Sequence, residues 1–166
     1  MLLYAAYGSN LNKQQMMIRC PLSKPFSSIV LKVWRLVFKG VADIEKNTKH
    51  IVQLGLYKIT QHCEKKLDNY EGYPKVYRKY YIYRNIKGKD LKIMFYGMEQ
   101  KFSYASPTEK YYKVIDIGYK DWNFDRQYIF KAGNHSILCN SKNGYKSKNW
   151  KDKKYLNQEF MKKIKY

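Results

Sequence analysis

Tyr4-Ala5-Ala6-Tyr7-Gly8-Ser9-Asn10-Leu11-Asn12 is the stretch on which the fold turns. The apolar run Leu2 to Tyr7 reads as a buried strand that a glycine turn ends. Asn10 or Asn12 stands where a helix cap belongs, and a helix from about Lys13 to Cys20 follows until Pro21 stops it. A Gly-Ser-Asn turn entering a helix exposes backbone N–H groups carrying partial positive charge. Such groups hold carboxylates or developing oxyanions, and Gly8 permits close approach. The same tripeptide also serves as a plain turn with an asparagine cap.

Further along, Ile29 to Phe38 reads as a strand broken by Gly40. Val41 to Ile44 continues as a short strand or loop, and the polar run Glu45 to Lys49 reads as a turn before a strand over Ile51 to Ile59. Thr60 is placed to cap a helix ending near Tyr70. Val76 to Arg84 and Leu91 to Met98 read as a hairpin around Asn85–Lys89. Ser106 as cap and Pro107 as first residue open a helix that Gly118 closes; Asn123 caps another that Gly133 ends.

The helix after Thr60 runs into Leu67-Asp68-Asn69-Tyr70-Glu71-Gly72-Tyr73-Pro74. A glutamate before a glycine is often just a solvated helix end. Asp68, three residues earlier, shares a helical face with Glu71, and paired carboxylates are one way to raise a pKa. Both segments lie where strand-end and helix-end loops meet a rigid scaffold, the usual place for chemistry.

Composition narrows the classes. The 166 residues suit one domain with a real core, and 17% aromatic content, including 18 Tyr and 7 Phe, supplies large rings to bury. The formal charge of +20 comes from 33 Lys and Arg against 13 Asp and Glu. That field attracts anions, from small substrates to nucleic acid, although scattered lysines also make an ordinary solvated surface. Cys20, Cys63 and Cys139 are too few and too far apart for a disulfide framework. His50, His62 and His135 show no metal-ligand spacing, so neither a metal nor a cofactor is expected. Arg19, Arg35, Arg78 and Arg84 are carboxylate clamps or surface residues. The start is too brief and lacks a basic leader for a signal peptide, and no window is long enough to span a membrane, so a cytoplasmic protein is expected.

The two motifs together resemble the γ-glutamylcyclotransferase family, which includes the AIG2-like proteins and γ-glutamylamine cyclotransferases. The resemblance covers roughly residues 2 to 132 in order of elements. It implies an α+β fold: a γ-glutamylcyclotransferase-like mixed β-sheet or partial barrel with flanking helices. It also implies a reaction, the conversion of a γ-glutamyl amino acid or γ-glutamyl amine to 5-oxoproline and the free amino acid or amine. Carried over position by position, Glu71 is the general acid/base, Tyr7, Gly8, Ser9, Asn10 and Leu11 line the substrate pocket, and Tyr77 stands in its wall. The form Tyr70-Glu71-Gly72-Tyr73-Pro74 is closer to the AIG2-like and γ-glutamylamine branch. Tyr104 to Pro107, with Tyr111 to Ile115 and Gly118, instead resembles the longer enzymes acting on γ-glutamyl amino acids.

Residues 141–166 are set apart from a domain over 1–140. They hold nine lysines against Asp152 and Glu159, and Tyr145, Trp150, Tyr155 and Phe160 recur every five residues, the period of neither helix nor strand. A basic segment with aromatic rings admits weak binding of nucleic acid or an acidic partner. The alternative function is therefore a non-catalytic binding protein on the same scaffold, such as a phage or mobile element would carry, taking a small anionic ligand, nucleic acid or an acidic protein.

Overall fold

The computed structural model describes residues 2–98 and 101–164. Its sheet has five strands: β1 (Leu2–Ala6), β2 (Lys24–Phe38), β3 (Ala42–Ile59), β4 (Tyr77–Ile86) and β5 (Lys89–Met98), in the order β2-β3-β1-β5-β4. The β1–β5 pair is parallel and the other pairs are antiparallel, so the sheet is mixed and does not close into a barrel. β1 lies in the middle, which is why it is continuously apolar rather than alternating. Among the described residues five α-helices accompany the sheet: α1 (Lys13–Arg19), α2 (Gln61–Glu71), α3 (Glu109–Asp121), α4 (Gln127–Leu138) and α5 (Gln158–Lys163).

The polar run Glu45 to Lys49 is not a turn. β3 continues through it, because β2 is long enough to pair with all of it. The pairing jumps from Lys32–Ile51 to Trp34–Lys46, so residues 47–50 bulge out opposite Val33 (φ 60°). The reversal lies at Gly40 (φ 85°) instead. β2 begins at Lys24 and includes Pro25, which an edge strand tolerates. The β4–β5 hairpin closes on Lys87 (φ 54°) and Gly88 (φ 79°), both left-handed as a two-residue turn requires.

Asn12 and Thr60 cap their helices, accepting from the amides of Gln15 (2.9 Å) and Cys63 (3.1 Å). α3 departs from expectation. Thr108 caps it, because the Ser106 amide is bonded to Asn140 Oδ1 and the Pro107 carbonyl accepts from the Leu156 amide. Gly118 and Gly133 end no helix. A Cβ on Gly118 would stand 2.6 Å from Leu11 Cβ, and one on Gly133 would stand 3.0 Å from Met161 and Tyr112. Both glycines are contact points between elements, a role that local sequence does not distinguish from a stop. Asn123, in the left-handed region, closes the end of α3 rather than opening α4.

The core is aromatic, with Tyr57, Tyr96, Tyr112, Tyr119 and Phe38 fully buried. Cys20 and Cys63 are buried free thiols and Cys139 is exposed. The 141–164 segment is laid against this core: Trp150, Leu156 and Met161 are buried in it. Among the described residues no helix is long and apolar enough to cross a membrane.

Candidate active site

The Tyr7–Asn12 loop leaves the C-terminal end of β1, and α2 delivers Glu71 beside it. The α2 terminus is set by Gly72 (φ 65°), with the Tyr73 amide bonded to the Asp68 carbonyl (2.9 Å). A short 3₁₀ turn over Ser9–Leu11 spends the amides of Leu11 and Asn12 on the carbonyls of Gly8 and Ser9. The amides of Ser9 and Asn10, at the start of that turn, have no intra-turn partner. The two motifs enclose a cleft of about 500 Å³ with its mouth included. Tyrosines from four strands and helices wall it: Tyr4, Tyr77, Tyr96 and Tyr111.

Asn10 joins the motifs. Its Nδ2 donates to Glu71 Oε1 (2.9 Å) and to the Tyr4 hydroxyl (2.9 Å). Its Oδ1 accepts from Arg19 Nη1 (2.6 Å), so the amide can face only one way. Arg19 also donates to Ser9 Oγ (3.1 Å) and Gln15 Oε1 (3.0 Å), and its guanidinium stacks 3.8 Å over the Tyr70 ring. Burial among the rings pushes the Glu71 carboxyl up to about 7; the Arg19 charge and the Asn10 hydrogen bond pull the other way and do not cancel it. The hydroxyls of Tyr7, Tyr77 and Tyr111 are raised above the usual phenol range by the same burial and stay protonated. A group that exchanges a proton near neutrality therefore sits among rings that do not.

The structure brings Tyr7, Gly8, Ser9, Asn10, Glu71 and Tyr77 to one cleft. Leu11 lies outside it, fully buried, with its carbonyl accepting from Trp122 Nε1 (2.9 Å) and Tyr57 (3.3 Å). Tyr7 donates its hydroxyl to the Tyr96 carbonyl (2.7 Å), and Tyr77 to the Ala42 carbonyl (2.5 Å). Gly8 has a second duty, because a Cβ there would stand 3.2 Å from the Tyr111 hydroxyl and 3.3 Å from Ala42 Cβ. Asp68 does not pair with Glu71; it accepts from Tyr96 (2.6 Å) and Lys79 (2.9 Å).

Sequence reasoning missed several residues of the cleft. Tyr4, Tyr96 and Tyr111 line it although the sequence names none of them as a pocket residue. Tyr145, Ser147, Asn149 and Trp150 belong to the basic 141–166 segment, yet they line the cleft. Trp150 Nε1 donates to the Tyr70 hydroxyl (2.7 Å), and its ring meets Tyr111 edge-on at 5.0 Å. Of Tyr145, Trp150, Tyr155 and Phe160 only Tyr155 is exposed. No signal in the sequence separates a ring turned inward from one turned out at a five-residue spacing.

Comparison with known proteins agrees with this fold. A γ-glutamyl cyclotransferase of known structure superposes with a TM-score of 0.70 at 24% identity, covering 98% of this chain and 99% of that one. An uncharacterized protein from Homo sapiens superposes at 0.68 and 24% identity, with 98% of each chain covered. YkqA from Bacillus subtilis gives 0.67 at 21% identity, covering 84% of this chain and 55% of that one. At these identities the likeness is one of fold. No curated protein matches the sequence. The sequence model of the family described as "Gamma-glutamyl cyclotransferase, AIG2-like" matches residues 4–124, which span both motifs and the walls that β4, β5 and α3 supply, and the chain belongs to that family.

Proposed function

We propose that this chain is a γ-glutamylcyclotransferase in which Glu71 moves the protons. The observation that carries the reading is the Glu71 carboxyl, raised to about 7 and fixed by Asn10 inside a tyrosine-walled cleft. The substrate is a γ-glutamyl amine or γ-glutamyl amino acid. Its α-ammonium gives a proton to the Glu71 carboxylate, and the freed amine attacks the γ-carbonyl carbon of the same molecule. The oxyanion so formed lies toward the amides of Ser9 and Asn10. Glu71 returns that proton to the leaving nitrogen as the C–N bond breaks, and the carboxylate so restored passes the second proton of the ring nitrogen to the departing amine, releasing 5-oxoproline and the amine as its ammonium ion. Nucleophile and electrophile share one molecule, so much of the entropic cost of bringing them together is already met. A single carboxyl with a pKa near neutrality serves both transfers.

The test is 5-oxoproline formation, read by mass spectrometry, from a panel of γ-glutamyl amino acids and amines. Glu71→Gln keeps an oxygen for Asn10 and loses the exchangeable proton. Turnover should fall by about 10²- to 10⁴-fold, with the circular dichroism spectrum unchanged. Undiminished turnover in this variant removes Glu71 from the mechanism.

A further inference from the structure

We propose that the segment Tyr145–Trp150 is the wall that meets the leaving group and selects it. This inference rests on the cyclotransferase reading of the cleft. The γ-glutamyl half is assigned to the Gly8–Asn10 loop and Glu71, both inside the stretch 4–124 that the family shares. Tyr145, Ser147, Asn149 and Trp150 line the same cleft from outside that stretch. Whatever they recognise is added to what the two motifs hold.

The segment is built as a wall. Tyr145 and Ser147 are partly buried and alternate with exposed Lys146 and Lys148; the chain then turns, leaving Asn149 exposed and Trp150 buried. Its two ends are anchored. Trp150 holds Tyr70, the residue next to Glu71, and stands 5.9 Å from the Arg19 guanidinium. The Tyr145 amide donates to the Lys39 carbonyl (2.8 Å), and the Tyr145 ring packs on Phe102 at 5.2 Å. Two glycines make the seat: a Cβ on Gly40 would stand 2.1 Å from the Tyr145 carbonyl oxygen, and one on Gly144 would stand 2.2 Å from Ala105 Cβ. Between the anchors the residues lining the cleft are Ser147, whose hydroxyl also accepts from the Asn149 backbone amide (3.2 Å), and Asn149, and neither side chain carries a charge. They discriminate by hydrogen bonding and shape, while the lysines on the outer face keep their charge in solvent.

Specificity is a ratio, so the test is a ratio. Purified full-length protein is assayed with γ-glutamyl methylamide and γ-glutamyl phenylalanine, which share the γ-glutamyl half and differ in what leaves. Asn149→Leu changes the wall at an exposed side chain with little risk to folding, and Ser147→Ala is the second variant. Each should shift the ratio of the two kcat/KM values, with one of them doing so by about ten- to a hundredfold, chiefly through KM. Asn10→Ala should lower both values together. A ratio that neither wall variant moves overturns the proposal. A parallel calorimetric titration of both compounds into Glu71→Gln protein, with and without each wall variant, reads binding without turnover. If the wild-type chain forms no 5-oxoproline yet the binding ratio still moves with the wall, the cyclisation reading fails and the wall stands. If neither compound binds, both fall.

Discussion

Glu71→Gln should stabilise the protein above neutral pH while removing its activity. The folded chain raises the Glu71 carboxyl from an ordinary 4.5 to about 7, mainly by burial. Between these two values the folded state keeps a proton that the unfolded state has released. Stability therefore falls as pH rises through this window, and the loss is complete once the pH exceeds the folded value. At about 1.4 kcal/mol for each pH unit, the rise from 4.5 to about 7 amounts to about 3.5 kcal/mol. Glutamine has nearly the same shape, can accept from Asn10 Nδ2 through the same oxygen position, and carries no charge to desolvate.

The assay is scanning calorimetry of both proteins from pH 4 to pH 8.5. At pH 4 the two melting temperatures should nearly coincide, because the wild-type carboxyl is mostly protonated in the folded and the unfolded state alike. At pH 8 the variant should melt higher by about 7–14 °C, taking about 2–4 °C per kcal/mol for a chain of this size. A pH-independent difference, or a variant less stable at pH 8, would refute the claim that burial raises this carboxyl. Loss of function with gain of stability is the usual signature of a group held in an unfavourable state for its chemistry.

Replacing Arg19 by Met removes the charge that pulls Glu71 down, so the ascending limb of the pH–kcat/KM profile should move to higher pH; a limb that stays in place would show that Arg19 does not act on Glu71. Lys39→Met should strand the buried Asp43 carboxylate, whose Oδ2 it binds at 2.6 Å, and cost about 3–5 kcal/mol in urea unfolding. Gly40→Ala combines a left-handed backbone with the Tyr145 collision, about 1–2 kcal/mol for the first and about 1–3 for the second. Gly88→Ala is its control, because Gly88 is left-handed with open space around it and should show the first cost alone. Equal melting temperatures for the two alanine variants would remove the collision from the account.

The helix caps at Asn12 and Thr60, the β4–β5 hairpin and the Gly72 terminus beside Glu71 were readable because each depends on residues a few positions apart. The misread places share a different cause. Gly118 and Gly133 look like stops, but distant elements press on them. The Glu45 to Lys49 run looks like a turn, but β2 pairs past it. Tyr96 and Tyr111 lie on a strand and a helix whose local sequence does not say which cavity a ring enters, and only the packing of β5 and α3 brings them to the cleft of Glu71.

By itself the sequence determined the strand-loop-helix opening, the glutamate at the end of α2 and the family they belong to, because cap, turn and motif chemistry is local and survives without tertiary contacts. Only the tertiary structure decided the state and surroundings of that glutamate. Its raised pKa is a property of burial, the fixed orientation of Asn10 depends on Arg19 nine residues away, and Trp150 reaches Tyr70 across 80 residues of chain. Desolvation and long-range packing are set by which surfaces meet, and that is not written in the spacing of residues along the chain.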